Sequence, residues 1–242
     1  MALFVGTHWT GEQWVATAFA DGYESTTVYE EIGRLWSDVA DDAERVLVDV
    51  PVGLVEEGKP TREPDELTRS VVGDRADEVV TPPVREATRK RRYPAAARVM
   101  ERKTGQSLSE RAFTASEPIA AVDELLQEIP ETRGVFGESH AELCFRAFAG
   151  APLAHDRRRA GGYAERMRAL AEFDPDAPPT VQAAAEAVAG HAVRIESVLD
   201  ALALGYTARP GSTELRTLPA TPETDATGLQ LCHYYRAADP VA

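Results

Sequence analysis

Acidic residues follow two short apolar segments of the chain. Asp49 comes directly after Val46-Leu47-Val48, and the strand pattern then ends at Pro51. Glu138 ends a similar segment, Gly134-Val135-Phe136-Gly137. A run of apolar residues bounded by turn residues is typical of a strand buried on both faces. A carboxylate at its end is costly to bury without a partner, commonly a metal ion. The pattern therefore predicts a metal-dependent active site.

Four further residues extend this acidic group. His8 ends the first apolar segment, and His140 lies two positions beyond Glu138. Glu196 and Asp200 are four positions apart on a predicted helix, hence on one face. Carboxylate oxygens suit Mg²⁺ or Mn²⁺, and such ions activate water in phosphodiester cleavage. We predict a divalent cation, Mg²⁺ or Mn²⁺, as cofactor. The predicted catalytic residues are His8, Asp49, Glu138 and Asp200, the predicted metal ligands are Asp49, Glu138, Glu196 and Asp200, and His140 is a further site residue.

Each of these side chains also has a structural interpretation. Asp49 could cap the turn at Gly53 through backbone N–H groups, and Glu138 could pair with an arginine. A histidine at a strand end is often part of a local hydrogen-bond network, and an acid on a long helix usually faces solvent. The sequence leaves both interpretations open.

Arginine supplies nearly all of the positive charge. The chain has 26 basic residues, of which only three are lysines. Arginine forks match the geometry of phosphate groups, so two arginine-rich segments predict contacts with a nucleic-acid backbone. The alternative is that these arginines pair with the abundant carboxylates. The predicted nucleic-acid-binding residues are Arg85, Arg89, Arg92, Arg157, Arg158 and Arg159.

The overall charge is strongly negative. The sequence holds 40 acidic residues against 26 basic ones, a formal net charge of -14. This composition favours a salt-adapted, haloarchaeal-type surface, in which acidic side chains keep molecules apart; an acidic protein of ordinary salt conditions is the alternative. The screening length falls to about 3 Å at 1 M salt, so an acidic chain can still bind a polyanion through direct contacts.

Strand and helix signals alternate in the first third of the chain. Residues 3–7, 13–19 and 25–29 have strand patterns, and Asp21-Gly22 is a hairpin signal. The spacing of apolar residues at 32–39 predicts a helix. The sequence thus predicts an α/β protein with three antiparallel strands, a helix, and then a strand that pairs parallel to the first.

The remainder is expected to be mostly helical. Residues 56–130 are polar and proline-punctuated, and they predict a helical insert without a flexible linker. The Glu138 segment resumes the sheet. Thr180 is a plausible N-cap for a long helix that reaches Leu204 and ends at Gly205, and an extension from 206 to 242 could add two short strands. We predict one domain over residues 1–242.

Two absences bear on location. No stretch of eighteen or more apolar residues is present, which excludes a predicted membrane span, and the N-terminus lacks the pattern of a signal peptide. We predict a cytoplasmic protein that binds nucleic acid, with its oligomeric state left open. Cys144 and Cys232 show no metal-ligand spacing, and two buried free thiols are favoured over a disulfide.

A family resemblance covers nearly the whole chain. The segments that carry it are Gly6, Val48-Asp49-Val50-Pro51-Val52-Gly53-Leu54, Arg62-Glu63-Pro64-Asp65, Arg69, Gly73, Pro82-Pro83-Val84-Arg85, Gly105, Leu108-Ser109, Ile119, Val122-Asp123, Glu138-Ser139-His140-Ala141-Glu142 and Leu199-Asp200-Ala201-Leu202-Ala203. In their order and spacing the sequence resembles the domain of unknown function 429 family, which comprises predicted nucleases. The resemblance implies a ribonuclease-H-like fold with a mixed five-stranded sheet.

Among the departures from the family pattern, which include Pro64 and Ala141, one bears on metal binding. Where the family usually has Asp at the end of the first strand, this chain has His8. A neutral imidazole supplies one nitrogen ligand and no negative charge, which favours Mn²⁺ or Zn²⁺ over Mg²⁺ and one bound ion over two.

The predicted function is therefore that of a metal-dependent phosphodiesterase, nuclease-like, acting on nucleic acid. The alternative is a catalytically inactive module that binds nucleic acid or protein on the same fold. A phosphate-transferring enzyme is a weaker third possibility, because the sequence lacks a GxxxxGK[ST] loop.

Overall fold

A five-stranded mixed sheet forms the centre of the protein, as seen in a computed structural model that describes residues 1–242. Its order is β3-β2-β1-β4-β5; the first three strands are antiparallel, and β4 and β5 run parallel to β1. This confirms the predicted mixed sheet and is consistent with a ribonuclease-H-like fold. The strands are β1 (Leu3–Trp9), β2 (Trp14–Phe19), β3 (Tyr23–Tyr29), β4 (Ala43–Val48) and β5 (Phe136–Glu138).

Helices occupy most of the chain after the first four strands. Five of them, α2 to α6, lie between β4 and β5, where the helical insert was predicted. None of the helices combines the length and the apolar character that a membrane crossing requires. The helices are α1 (Ile32–Val39), α2 (Glu63–Val71), α3 (Arg85–Thr88), α4 (Tyr93–Thr104), α5 (Glu110–Thr114), α6 (Ser116–Glu128), α7 (Ala141–Ala149), α8 (Ala160–Phe173), α9 (Ala177–Ala187) and α10 (Ile195–Ala208).

The sheet buries apolar side chains on both faces. Along β4, Val46 and Val48 belong to one core cluster and Leu47 to the other, because successive side chains of a strand point to opposite faces. Helices α1 and α6 contribute to the first cluster, and α7 to α10 contribute to the second. This double coverage explains the unbroken apolar run that precedes Asp49.

Helix α10 approaches the sheet closely at two glycines. A Cβ atom on Gly6 would lie 1.9 Å from the backbone nitrogen of Gly205, and one on Gly205 would lie 2.6 Å from the ring of Phe19. Any larger residue would force the helix away from the sheet. The prediction that Gly205 ends the helix is therefore wrong, because this glycine permits close packing within a helix that continues to Ala208.

The predicted single helix from Thr180 to Leu204 is also wrong. Helix α9 ends at Ala187, and a turn in which the N–H of His191 donates to the carbonyl of Val188 separates it from α10. Thr180 lies inside α9 instead of capping it, and its hydroxyl donates to the carbonyl of Asp176 at 2.8 Å. Alanine-rich composition favours a helix only weakly, and tertiary packing decides where the helix breaks.

The C-terminal residues form a two-stranded sheet of their own. Strands β6 (Glu214–Thr224) and β7 (Gln230–Ala237) are antiparallel, and they are longer than the two short strands predicted. An isolated parallel bridge joins Ser139, just after β5, to Tyr234 of β7. The hairpin thus reaches the edge of the central sheet where the predicted site lies.

Candidate active site

The carboxyl ends of β1, β4 and β5 meet at one edge of the sheet. Thr7 pairs with Val48, and Val48 pairs with Glu138. His8 and Asp49 follow the first pair directly and emerge at the same edge. Ligand sites in open α/β sheets lie at this edge. The structure therefore brings these three predicted residues together, as the argument from parallel strands required, while their chemical roles stay predictions.

His8 and Asp49 form an ion pair at the mouth of the sheet. His8 Nδ1 contacts Asp49 Oδ2, and the backbone N–H of Trp9 donates to Asp49 Oδ1 at 3.0 Å. Burial by itself lowers the pKa of His8, but the charge and hydrogen bond of Asp49 outweigh it and raise the pKa above the usual value. The Asp49 carboxylate therefore has a cationic partner at this edge.

Asp200 brings a third carboxylate to this edge from α10. It is fully buried, so it does not belong to a solvated helix face. Arg157 Nη1 donates to Asp200 Oδ2 at 2.5 Å, and His8 Nδ1 lies 3.9 Å from the same oxygen. The other oxygen, Oδ1, is buried without any hydrogen-bond partner. Buried polar atoms are nearly always satisfied, so this oxygen marks a place where a ligand is expected.

Glu138 is held by a buried network. Arg62 donates to Oε2 at 2.8 Å and to Oε1 at 2.7 Å, and the N–H of Val52 donates to Oε2 at 2.7 Å. His233 Nε2 lies 2.7 Å from Oε1. Burial by itself raises the pKa of Glu138, but the charges of Arg62 and His233 outweigh it and lower the pKa. Glu138 is therefore an ionised carboxylate whose two oxygens are both occupied.

A second acid and the imidazole of β7 complete this network. Asp65, Glu138 and His233 each offer one ligand atom, and these atoms lie within 4.8 Å of one another, so the group could hold a metal ion. Arg62 already binds both carboxylates, with Nε 3.0 Å from Asp65 Oδ2. A cation in this group would have to displace a fully buried guanidinium. The network is thus most readily understood as a neutralised support for the sheet edge.

His140 and Glu142 line the same cavity at the start of α7. The N–H of Glu142 donates to His140 Nδ1 at 3.3 Å. Burial and then the charge of His233 lower the pKa of His140 to about 4, so its imidazole is neutral at pH 7. Glu142 contacts the buried Arg166, and burial raises the pKa of this carboxyl. His140 therefore lines the cavity as a neutral acceptor that caps a helix, and its role as a site residue stays a prediction.

Two cavities with shared lining residues adjoin these side chains. The inner one has a volume of about 210 Å³ and is bounded by carboxylates and imidazoles, and the outer groove has a volume of about 1060 Å³. His8, Trp9 and Arg157 line both. The acidic and imidazole side chains of the inner cavity include His8, Asp49, Glu138, His140, Glu142 and Asp200.

Glu196 does not join the inner cavity. It lies in the first turn of α10, lines the outer groove, and is 3.5 Å from Arg194. One helical turn separates it from Asp200, and its side chain is 14% exposed whereas Asp200 is fully buried. Its predicted role as a metal ligand beside Asp200 therefore does not fit its position.

The arginines predicted to bind nucleic acid differ in their accessibility. Arg85 is buried and bonds to Glu56, Asp123 and Asp225. Arg89 Nη2 donates to Asp123 Oδ2 at 2.7 Å. Both arginines therefore pair with carboxylates, which was the alternative interpretation of this segment. Arg85 in particular is not available to a phosphate.

The other four predicted arginines form two groups. Arg157 and Arg158 line the outer groove. Arg92 precedes α4 and Arg159 precedes α8; both are exposed and lie outside the two cavities. The groove also contains Arg194, which the sequence analysis did not single out. Only part of the predicted basic surface therefore adjoins the acidic cavity.

Several residues of the site were missed by sequence reasoning. Arg62, Asp65 and Glu142 belong to segments that carry the family resemblance, and that membership was a usable signal. His233 lies in an ordinary strand pattern and gave no sign of its contact with Glu138. Cys144 and Cys232 are free and buried, as predicted.

Comparison with known families agrees with the resemblance. The family described as protein of unknown function (DUF429) matches residues 10–224, so the chain belongs to that family. Searches of curated proteins and of solved structures find no match. The family description assigns no activity, so the function has to be inferred from the site.

Proposed function

We propose that the protein is a metal-dependent phosphodiesterase that acts on nucleic acid, with the inner cavity as its active site. The observation that carries this proposal is the unpartnered Oδ1 of Asp200, a fully buried carboxylate oxygen in a cavity that also holds Asp49. Leaving a buried acceptor unsatisfied costs about 1–3 kcal/mol. A divalent cation would give this oxygen a partner.

The donor atoms are of the types that such an ion binds. Asp49 and Asp200 supply the carboxylate oxygens that Mg²⁺ and Mn²⁺ prefer, and His8, once it has lost its proton, offers a nitrogen that Mn²⁺ accepts more readily. Glu138 was predicted as a ligand, but its oxygens are occupied by Arg62 and His233. We assign it the role of fixing the sheet edge beside the ion.

Phosphodiester cleavage also requires groups that bind the nucleic-acid strand, and residues around the cavity can supply them. A bound divalent cation lowers the pKa of water and stabilises charge on a phosphate group. Arg157, Arg158 and Arg194 line the outer groove, where guanidinium groups can bind the phosphates of a strand. Trp9 lines both cavities and offers an aromatic ring to a base. The larger groove thus accommodates the polymer, and the smaller cavity accommodates the reacting phosphate.

The direct test combines cation binding with cleavage. Purified protein is incubated with labelled single-stranded RNA, single-stranded DNA, duplexes and branched substrates, with Mn²⁺, Mg²⁺ or EDTA. We expect Mn²⁺-dependent cleavage of at least one substrate, and a loss of about 10²-fold or more in Asp200→Asn. Asp21→Asn, at an exposed hairpin turn, is the matched control and keeps full activity. Firm Mn²⁺ binding without cleavage of any substrate would contradict the proposal.

A specific observation favours a second candidate, a catalytically inactive nucleic-acid-binding module. Asp49 is paired with His8, Asp200 with Arg157, and Glu138 with Arg62, so each predicted catalytic carboxylate has a cationic partner. Such a module would bind an oligonucleotide equally well with Mn²⁺ or with EDTA and would leave it intact. The enzyme instead requires the cation for both tight binding and cleavage.

A further inference from the structure

Arg157 lies at the junction of the inner cavity and the outer groove. It belongs to the segment between α7 and α8, and its side chain is 24% exposed while Asp200 is fully buried. The guanidinium makes one hydrogen bond to Asp200, from Nη1 to Oδ2 at 2.5 Å. Arg157 therefore belongs to the lining of both the inner cavity and the outer groove.

This ion pair is incompletely satisfied on both sides. Arg157 Nε is buried and has no acceptor, and Asp200 Oδ1 is buried and has no donor. A guanidinium has five N–H donors and commonly binds a carboxylate or a phosphate through two of them. The contrast with Arg62 is direct, because Arg62 uses Nε, Nη1 and Nη2 on its partners. The Arg157–Asp200 pair thus has unused capacity on each partner.

We propose that Arg157 exchanges partners: it binds Asp200 when no divalent cation is present, and it binds a phosphate of a single strand in the outer groove when a cation occupies Asp200. This inference rests on the proposed function, because it requires a cation site at Asp200. It makes Arg157 a positioning residue that couples two ligands.

The exchange predicts cooperative binding. Without a phosphate, the cation must displace a partly buried arginine from the one carboxylate to which it donates a hydrogen bond, which weakens cation binding. With a phosphate in the groove, the released guanidinium gains a new acceptor, and Asp200 is free for the ion. Coupling between two ligands is reciprocal and typically between about 5- and 150-fold. Each ligand should therefore tighten binding of the other by the same factor.

The test measures Mn²⁺ affinity by electron paramagnetic resonance, with and without a single-stranded oligothymidylate, after subtraction of the ion bound by the oligonucleotide alone. Oligonucleotide affinity is measured reciprocally by fluorescence anisotropy, with and without Mn²⁺. We expect wild type to bind Mn²⁺ at least about 5-fold more tightly when the oligonucleotide is present. Arg157→Ala should bind Mn²⁺ more tightly than wild type without oligonucleotide, and it should show no coupling.

Two further variants make the result specific. Arg168→Ala, exposed on α8, removes the same charge away from both cavities and should behave as wild type. Arg157→Lys keeps a positive charge and should retain part of the coupling that Arg157→Ala loses. If thermal melting shows that Arg157→Ala is unfolded, Arg157→Lys is used in its place.

The outcomes separate the two proposals. Equal Mn²⁺ affinity with and without oligonucleotide in wild type overturns the exchange and leaves the metal site standing. Coupling without cleavage of any substrate supports the exchange and overturns the phosphodiesterase. Absence of Mn²⁺ binding under every condition overturns both.

Discussion

Arg62 donates two hydrogen bonds to the carboxylate of Glu138, from Nη1 to Oε2 at 2.8 Å and from Nη2 to Oε1 at 2.7 Å. The two residues are 76 positions apart in the chain. The same guanidinium donates to the carbonyls of Val52 and Gly53, each at 3.1 Å. One side chain at the start of α2 thus joins the ends of β4 and β5. The geometry of the sheet edge beside Asp49 depends on this contact.

Removing the guanidinium should destabilise the fold strongly. Arg62→Ala leaves the two buried carboxylates of Glu138 and Asp65 with His233 as their remaining cationic partner, and breaking a buried ion pair costs about 3–5 kcal/mol. We expect a loss of this size in the free energy of unfolding, measured by urea titration. Arg34→Ala, which removes an exposed pair with Asp38, is the control and should cost less than about 1 kcal/mol. Similar losses in the two variants would show that the buried network does not support the fold.

The pKa values of His140 and His233 should be shifted in opposite directions from the ordinary value for histidine. The pKa of His140 is lowered to about 4, while that of His233 is raised because Glu138 outweighs the effect of burial. Between pH 4 and the ordinary value of 6.5, the unfolded chain binds more protons at His140 than the folded chain does, so this residue makes stability fall on acidification. The contribution of His233 is present below pH 6.5 and is lost as pH rises through its raised pKa.

Histidine NMR titration checks these directions. At pH 6 the ring of His140 should be neutral and that of His233 charged. The variant His140→Gln should lessen the loss of unfolding free energy between pH 6.5 and pH 4, and His191→Gln, at an exposed position, is the matched control. A charged His140 at pH 6 would contradict the described environment.

Close packing of α10 on β1 gives a prediction about glycine. Gly6→Ala places a methyl group 1.9 Å from the backbone of Gly205, so helix and sheet must separate. We expect a loss of at least about 1–3 kcal/mol in unfolding free energy. Gly33→Ala in α1 meets nothing within 4 Å and should stabilise by about 0.5–1 kcal/mol. Differential scanning calorimetry would reveal the opposite signs, and a neutral Gly6→Ala would contradict the close approach.

Restoring an acid at the end of β1 should change cation preference. His8→Asp places a third carboxylate beside Asp49 and Asp200, and the added negative charge favours hard ions. We expect tighter Mg²⁺ binding, measured by calorimetry, and Mg²⁺-dependent cleavage above that of wild type. His191→Asp makes the same charge change at a distant exposed position and should have no effect. No gain in Mg²⁺ affinity would count against a cation site between Asp49 and Asp200.

The net charge of -14 predicts stabilisation by salt. Raising KCl from 0.1 M to 1 M shortens the screening length from about 10 Å to 3 Å and weakens repulsion between surface carboxylates. We expect the thermal unfolding midpoint to rise across this range. A midpoint that falls would show that attractive ion pairs outweigh the repulsion, and the interpretation of a salt-adapted surface would be wrong.

Local patterns in the sequence determined the sheet. The apolar run before Asp49, the hairpin signal at Asp21-Gly22 and the helical spacing of residues 32–39 each depend on neighbours in the chain, and each corresponds to an observed element. The sequence also predicted that His8, Asp49 and Glu138 lie close together, because parallel strands bring their carboxyl ends to one edge of the sheet. Composition could not place the break between α9 and α10, since packing overrides helix propensity.

The partners of the site were decided only by the tertiary structure. The sequence supplied the carboxylates, but it did not show that Arg62 and His233 would occupy Glu138, or that Arg157 would reach Asp200 and leave one oxygen unpaired. The physical reason is that an ion pair depends on distance in space, whereas chain spacing sets that distance only within a helix or strand. Residues 43 or more positions apart meet because the whole fold brings them together.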